Sequence, residues 1–386
     1  MFPSVPLTDV LEFREGPGIL AKDFRDSGVP LLRLAGLKHG AALTDGCNYL
    51  DPDMVAAKWR QFEVRLGDTL LSTSASLGEV AVVGEEAVGA VPYTGIIAFR
   101  PRDDRFLPEF VRFALVEQSF KDQIAAMGVG SVMKHFGPSH LRQMTVSLPP
   151  VREQRAIAEV LGALDDKITA NEEVRRLADE LRRLTFLTGL DGGVDVPLSQ
   201  TARFVNGRNF TKEAPGHGRP VIRIAELNSG LGGSTVYNDV EVAENHVARP
   251  GDLLFAWSGS LTLRRWFLAE GIVNQHIFKV LPLEGWPLWL VASLLEVKLD
   301  EFKAIAADKA TTMGHIQRRH LDEPVAVPPD AWLATNGPRL ESLWAMALAM
   351  EVESQKLAAL RDALLPEFMS GRLRVKDAEK TVEEVV

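Results

Sequence analysis

The sequence predicts an α+β protein built twice: two tandem homologous domains separated by two long helices that form an antiparallel coiled coil. Three observations carry this. The first is a repeat at an offset of 180 residues. Met133, His135, His140 and Leu141 recur as Met313, His315, His320 and Leu321. Upstream, Pro30-Leu31-Leu32-Arg33 is echoed by Pro220-Val221-Ile222-Arg223, and Gly67-Asp68-Thr69-Leu70-Leu71 by Gly251-Asp252-Leu253-Leu254-Phe255. A long internal repeat means two copies of one structural unit. The second observation is that each copy mixes short apolar runs with Gly and Pro punctuation, as strands and turns do. The third is that each copy runs through a Pro-Pro pair (Pro149-Pro150, Pro328-Pro329) into a long helical pattern. The segments so defined are residues 1–150, 151–190, 191–330 and 331–372, with a polar tail over 373–386.

In the first domain, Val29–Leu37, Val80–Val83 and Ile96–Phe99 read as strands. Residues Phe106–Ala126 read as one helix begun by Pro108 and stopped by Gly128-Val129-Gly130. The second domain keeps the order: strands at Val221–Leu227, Leu253–Trp257 and Ile277–Leu281, then a helix from about Pro287 to Ala306. From Val151 to Leu187 the only Gly or Pro is Gly162. Apolar residues fall at Ile157, Leu161, Leu164 and Ile168, then at Val174, Leu177, Leu181 and Leu184. The 4-3-4 spacing is a heptad seam interrupted near Asn171. At about 1.5 Å per residue this helix is roughly 50 Å long. A second helix is expected from Pro338 to about Phe368. Its seam is Leu343, Ala347, Met350, Ser354, Leu357, Arg361 and Leu364, and Pro366 and Gly371 close it.

Composition narrows the function classes. The chain has 386 residues, 46% hydrophobic and 25% charged, which suits two full cores. No apolar run approaches the roughly 20 residues that span a bilayer. No signal-peptide pattern opens the sequence, so a cytoplasmic location without membrane association is expected. The single cysteine, Cys47, excludes an internal disulfide and a thiolate metal cluster. Net charge is −9, and it is evenly spread. The first domain has 15 basic against 18 acidic residues and the second 14 against 17. Neither shows the basic footprint usual in nucleic-acid binding.

The stretch Leu148-Pro149-Pro150-Val151-Arg152-Glu153-Gln154-Arg155-Ala156-Ile157-Ala158-Glu159-Val160-Leu161, followed by Leu164-Asp165-Asp166-Lys167-Ile168, resembles the central conserved region of the specificity (S) subunit of type I restriction–modification systems. Read alone, Glu153-Gln154 is also an ordinary helix start, with an acidic residue favouring the dipole. The second helix departs from the motif, reading Asp330-Ala331-Trp332-Leu333. The resemblance covers essentially the whole chain and implies two target recognition domains. It also implies a partner-binding role for Glu153, Gln154, Ile157, Leu161, Asp165 and Ile168. Its other partners would be double-stranded DNA, two methyltransferase (modification) subunits and restriction/translocase subunits. No cofactor is expected in this chain. S-adenosylmethionine would belong to the methyltransferase, and ATP and Mg to the restriction subunit.

Candidate DNA-binding residues lie in turns that recur in both domains. One pair is Ser72, Thr73 and Ser74 with Ser258 and Ser260. The other is Ser131, Lys134 and His135 with Thr311, Thr312 and His315. Small hydroxyl residues let a backbone approach phosphates, and His or Lys reaches a phosphate or base edge. A repeated fold would also repeat these histidines for structural reasons. Arg33 and Arg223, and likewise Arg208, Lys212, Arg264 and Arg265, read equally as DNA contacts or as ordinary surface charges.

Enzyme motifs are absent. There is no Gly-Lys dipeptide and so no Walker A loop. The Pro-Pro pairs follow Leu148 and Val327, not the Asn or Asp of an adenine methyltransferase motif. Glu296-Val297-Lys298 matches a fragment of a nuclease motif but falls inside an expected helix. The chain therefore reads as a non-catalytic DNA-binding subunit that takes a bipartite asymmetric site. A helical scaffold without DNA, or a divergent nuclease subunit, are the alternatives.

Overall fold

The computed structural model describes residues 2–37, 42–74, 77–126, 136–308 and 314–375. Two compact units emerge: Met1–Thr169 with Leu357–Val386, and Ala170–Lys356. Both long helices contribute one part to each unit.

In the first unit, strand Ser4–Pro6 pairs antiparallel with Thr145–Ser147, closing the segment between them into one body. A four-stranded antiparallel sheet is built from Leu11–Glu15, Ile96–Pro101, Thr69–Ser72 and Val80–Val82 in that spatial order. A second small sheet pairs Val29–Leu32 antiparallel with Asn48–Leu50 and parallel with Val91–Pro92. Helices Pro108–Val116 and Gln118–Ala126 follow.

The second unit repeats this plan. Val194–Pro197 pairs with Pro324–Val327. Ala202–Asn206, Ile277–Pro282, Leu253–Ala256 and Leu263–Arg265 form the four-stranded antiparallel sheet. Arg219–Ile222 lies antiparallel to Tyr237–Asn238 and parallel to Gly271–Val273. Helix Leu288–Asp308 follows. The duplication reaches single hydrogen bonds. Asp68 and Asp252 each accept from the backbone N–H three residues earlier, Arg65 at 2.8 Å and Arg249 at 2.7 Å.

Several sequence expectations change at element ends. The helix expected over Phe106–Ala126 is two helices, because Glu117 is extended (ψ 144). Its carbonyl accepts from Phe120 and Lys121 and so starts the second helix. Residues Gly128-Val129-Gly130 lie outside the described residues. The strand expected to reach Leu227 stops at Ile222. Glu226 accepts from the Arg223 N–H at 3.0 Å and turns Ile224–Ser229 into a helix. Likewise Leu34–Leu37 is a 3-10 turn rather than strand.

The first long helix is Val151–Thr188. The second is Asp330–Ser370, beginning eight residues before Pro338. Pro338 and Pro366 sit inside it. Packing offsets the two missing backbone bonds: Leu340 is buried beside Trp332 and Leu333 at one end, and Phe368 and Met369 at the other. Gly371, at φ 70, ends the helix. The two helices run antiparallel. Asp165 pairs with Arg361 at 2.7 Å in the first unit, and Asn171 bonds Glu353 at 2.7 Å in the second.

The heptad seam of the first helix is not interrupted at Asn171. Ile157, Leu161, Leu164 and Ile168 are buried, and the same 4-3 spacing continues through Asn171, Arg175, Ala178 and Arg182, three of them buried. What changes is chemistry. Arg182, 2% exposed, donates to Ser293 at 2.6 Å and Glu296 at 2.6 Å, with its guanidinium 5.3 Å from the Trp344 ring. The apolar run Val174, Leu177, Leu181 and Leu184 sits one residue round the helix. It is 39–50% exposed. The expectation that these four line the seam is thus corrected: they form an outward stripe.

Candidate nucleic-acid interface

In each unit the hydroxyl-rich turn leaves the end of a central strand, and the described residues that follow the late loop meet it. In the first unit, the Phe136 N–H donates to the Thr73 carbonyl at 3.2 Å. In the second, the Ile316 N–H donates to the Trp257 carbonyl at 3.0 Å, and Ser258 bridges to His315. The second copy therefore brings the sequence-distant candidates Ser258 and His315 together, and in both copies the backbone just after the late loop is bonded to the same position of the turn. Ser131, Lys134, His135, Thr311 and Thr312 lie outside the described residues.

The side chains divide by burial. Ser72 and Thr73 are buried, at 1% and 0% exposure. Ser72 Oγ accepts from the Glu79 N–H at 2.9 Å, which holds the turn to the next strand. These two residues shape the loop. Ser74 and His315 are half-buried and Ser260 is exposed. Ser260 Oγ accepts from Asn228 at 2.9 Å, and Thr262 donates to Asn228 Oδ1 at 2.7 Å, so a polar rim is held in place. Ser258 is 4% exposed, and its hydroxyl is buried without a hydrogen-bond partner.

The sequence did not point to the third loop at this place. Trp257 is fixed by a 2.7 Å hydrogen bond from its Nε1 to Asn206 Oδ1. Its ring lies 5.9 Å from Phe278, 5.1 Å from His276 and 6.4 Å edge-on from His315. His276 has φ 73, the left-handed region. Its counterpart ahead of the equivalent strand is Gly95, at φ 87. Both carbonyls accept from the turn opposite: Gly95 from the Thr73 N–H at 2.8 Å, His276 from the Trp257 N–H at 3.1 Å. Aligning the two repeats through Ile96 and Ile277 would have exposed this glycine-to-histidine exchange.

Other candidates resolve into structural roles. The second histidine of each repeat caps a turn. Gly137 N–H donates to His140 Nδ1, and Gln317 N–H to His320 Nδ1, both at 3.1 Å. Arg223 is paired with Glu226 at 2.5 Å, and Arg33 lies 4.1 Å from the centre of the Tyr93 ring. Arg265 is no surface charge: it is buried and paired with Glu351 at 2.7 Å. Arg208, Lys212 and Arg264 are exposed. Glu296 and Lys298 do not share a centre. Glu296 takes Arg182, while Lys298 pairs with Glu301 at 2.5 Å and Glu323 at 3.5 Å. Among the described residues no cluster of His, Cys, Asp and Glu is placed to hold a metal.

The residues expected to meet a partner are used inside the chain. Gln154 is fully buried. It accepts from the Leu107 N–H at 2.9 Å and donates to the carbonyls of Arg105 at 2.7 Å and Pro149 at 2.8 Å. Ile157, Leu161 and Ile168 belong to the first core. Asp165 pairs with Arg112 at 3.2 Å as well as Arg361. Glu153 is half-buried at the helix start. These residues tie the helix to the first domain.

Comparison with known proteins agrees with this architecture. Residues 2–178 match the model of the type I restriction modification DNA specificity domain. Among curated proteins, it is 20% identical over 200 residues to the type I restriction enzyme MjaVIII specificity subunit of Methanocaldococcus jannaschii, covering 50% of this chain and 46% of that protein. It is 21% identical over 276 residues to the type I restriction enzyme EcoKI specificity subunit of Escherichia coli K12, covering 61% of this chain and 56% of that one. The matched regions thus span about half the length of these relatives. The crystal structure of a type I restriction-modification system S subunit from M. genitalium covers 95% of this chain and 96% of its own, with TM-score 0.59 and 15% identity. That likeness shows the fold. The resemblance drawn from the Glu153-Gln154 region, and the two-domain, two-helix fold class, are both borne out. Among the described residues, no helix is long and apolar enough to cross a membrane.

Proposed function

We propose that this chain is the DNA-recognition subunit of a type I restriction–modification complex. Each domain reads one half of a split, asymmetric site in double-stranded DNA, and the helix pair sets the gap between halves. The observation that supports this is the duplication of the hydroxyl-rich turn and of the backbone bond it accepts, from Phe136 to Thr73 and from Ile316 to Trp257. A two-part interface suits a two-part target.

The chain itself is non-catalytic in this reading. Two methyltransferase subunits with S-adenosylmethionine supply the chemistry, and restriction/translocase subunits use ATP and Mg. The complex acts in the cytoplasm. The residues from Glu153 to Ile168 shape the first helix, and the outward stripe Val174, Leu177, Leu181 and Leu184 docks a modification subunit. Three leucines and a valine on one helix face, each 39–50% exposed among the described residues, are what an apolar partner helix buries.

Net charge of −3 on each domain leaves little generic attraction for phosphates, so tight binding needs the partners. Affinity for duplex DNA, measured for the chain alone and for the assembled complex at one salt concentration, tests this. Sequence-selective binding by the complex, much tighter than by the chain alone, is expected. No binding by either would refute DNA recognition, and cleavage by the chain alone with Mg would favour a nuclease.

A further inference from the structure

We propose that His276 is a base-reading residue of the second domain, donating a hydrogen bond from its imidazole to an acceptor on a purine edge in the major groove. The proposal rests on the DNA-recognition reading above and names one side chain that performs it.

Four observations converge on this residue. First, its backbone is left-handed (φ 73), which few non-glycine residues adopt, and its counterpart is Gly95. The first domain meets the same backbone demand with the residue that meets it without strain. A side chain at Gly95 would also stand about 2.5 Å from Ser74 Oγ. The second domain instead retains an imidazole against the backbone preference, and strain of this kind gathers at functional sites.

Second, the imidazole is braced but not bonded. It lies 5.1 Å from the Trp257 ring, which is itself held by Asn206 and by Phe278. No described side chain hydrogen-bonds either ring nitrogen. Nδ1 is buried without a partner, while the residue as a whole is half-buried. Third, an orphaned buried N–H is costlier than an orphaned acceptor lone pair, so we assign the proton to Nε2. That leaves the ring a donor, which fits N7 of a purine or O6 of guanine. Fourth, the surroundings suit a nucleic acid. Arg208, exposed, has its backbone bridged to Asn274, and its carbonyl accepts from the Gln275 N–H at 2.9 Å. The Arg208 backbone is therefore held against the residues just before the histidine, from where an exposed cation making a phosphate contact would set the register. The Ser258 hydroxyl, buried and unpartnered close to His315, is a further polar group left for a ligand to complete.

The test uses the full-length chain, alone and assembled with its modification subunits. It is incubated with random-sequence duplexes, and the bound fraction is sequenced. His276→Gly, which restores the first domain's solution, is compared with wild type, and thermal unfolding is measured in parallel. His276→Gly should fold with an equal or higher midpoint and keep the half-site read by the first domain. It should lose preference at one base pair of the other half-site by roughly tenfold. His276→Asn, which tolerates the backbone and keeps a donor, should retain part of that preference. An unchanged motif and affinity in His276→Gly would overturn the assignment. So would loss of preference in both half-sites with a lowered midpoint, which marks a structural role. If wild type enriches no motif in any form, DNA recognition itself fails, and this assignment falls with it.

Discussion

At the scale of residues, the second histidine of each repeat has one and the same role. His140 and His320 accept a backbone N–H in the same geometry, so each satisfies one donor at the start of a turn. Replacing either by Ala should cost about 1 kcal/mol, read as a lowered denaturant midpoint, with the recognised DNA sequence unchanged. A changed recognition sequence would contradict the capping role. Glu226 gives a pH dependence. Burial pushes its carboxyl up, and hydrogen bonds from the Arg223 side chain and backbone more than offset that, leaving it below its ordinary value. A depressed carboxyl stabilises the fold above its unfolded-state value and loses that contribution as pH falls through the folded value. Acid titration of Glu226→Gln should therefore show a shallower loss of stability below about pH 4, where free glutamate titrates. The same slope as wild type would refute this. The identity of His276 as a site residue was hidden from the sequence for a physical reason. Nothing in a lone His between Gln275 and Ile277 announces φ, and only the glycine at the equivalent place shows what the backbone demands.

At the scale of elements, the strands and long helices were legible because apolar periodicity follows burial. Ile157, Leu161, Leu164 and Ile168 predicted the seam and are buried. Element ends were less legible. Glu117, the Arg223–Glu226 pair and the packing around Trp332 decide where elements stop, and each depends on partners distant in sequence or on one local cap. The second half of the seam misled because hydrophobicity was taken for burial. Arg182 is buried by stacking near Trp344 and bonding to Ser293 and Glu296, and the leucines beside it face outward. Two substitutions separate these faces. Leu161→Ala empties a fully buried position and should cost about 2–5 kcal/mol in chemical unfolding. Leu177→Glu with Leu181→Glu lies on exposed positions and should shift stability by about 0.5 kcal/mol or less for each change. The same pair should abolish co-elution with the modification subunit. Retained co-elution would move the docking face elsewhere.

At the scale of the whole molecule, the duplication was plain in sequence, since Pro30–Arg33 against Pro220–Arg223 and Gly67–Leu71 against Gly251–Phe255 recur in register. The structure adds that the strand order and polarity of the four-stranded antiparallel sheet, and individual turn hydrogen bonds, recur with them. If the helix pair is a ruler, four residues inserted near Leu184 lengthen the first helix by about 6 Å. At about 3.4 Å per base pair, the gap between half-sites should widen by one or two base pairs while both halves persist. An unchanged gap would show that the helices are not the ruler. The claim beneath all of this is that one chain reads two separated halves of a site. Mapping methylated adenines in DNA from cells that express the complete system, with and without this chain, tests it most directly. The expected result is a single split, asymmetric motif whose methylation vanishes without the chain; methylation that persists in its absence, or that falls in one contiguous motif, would contradict it.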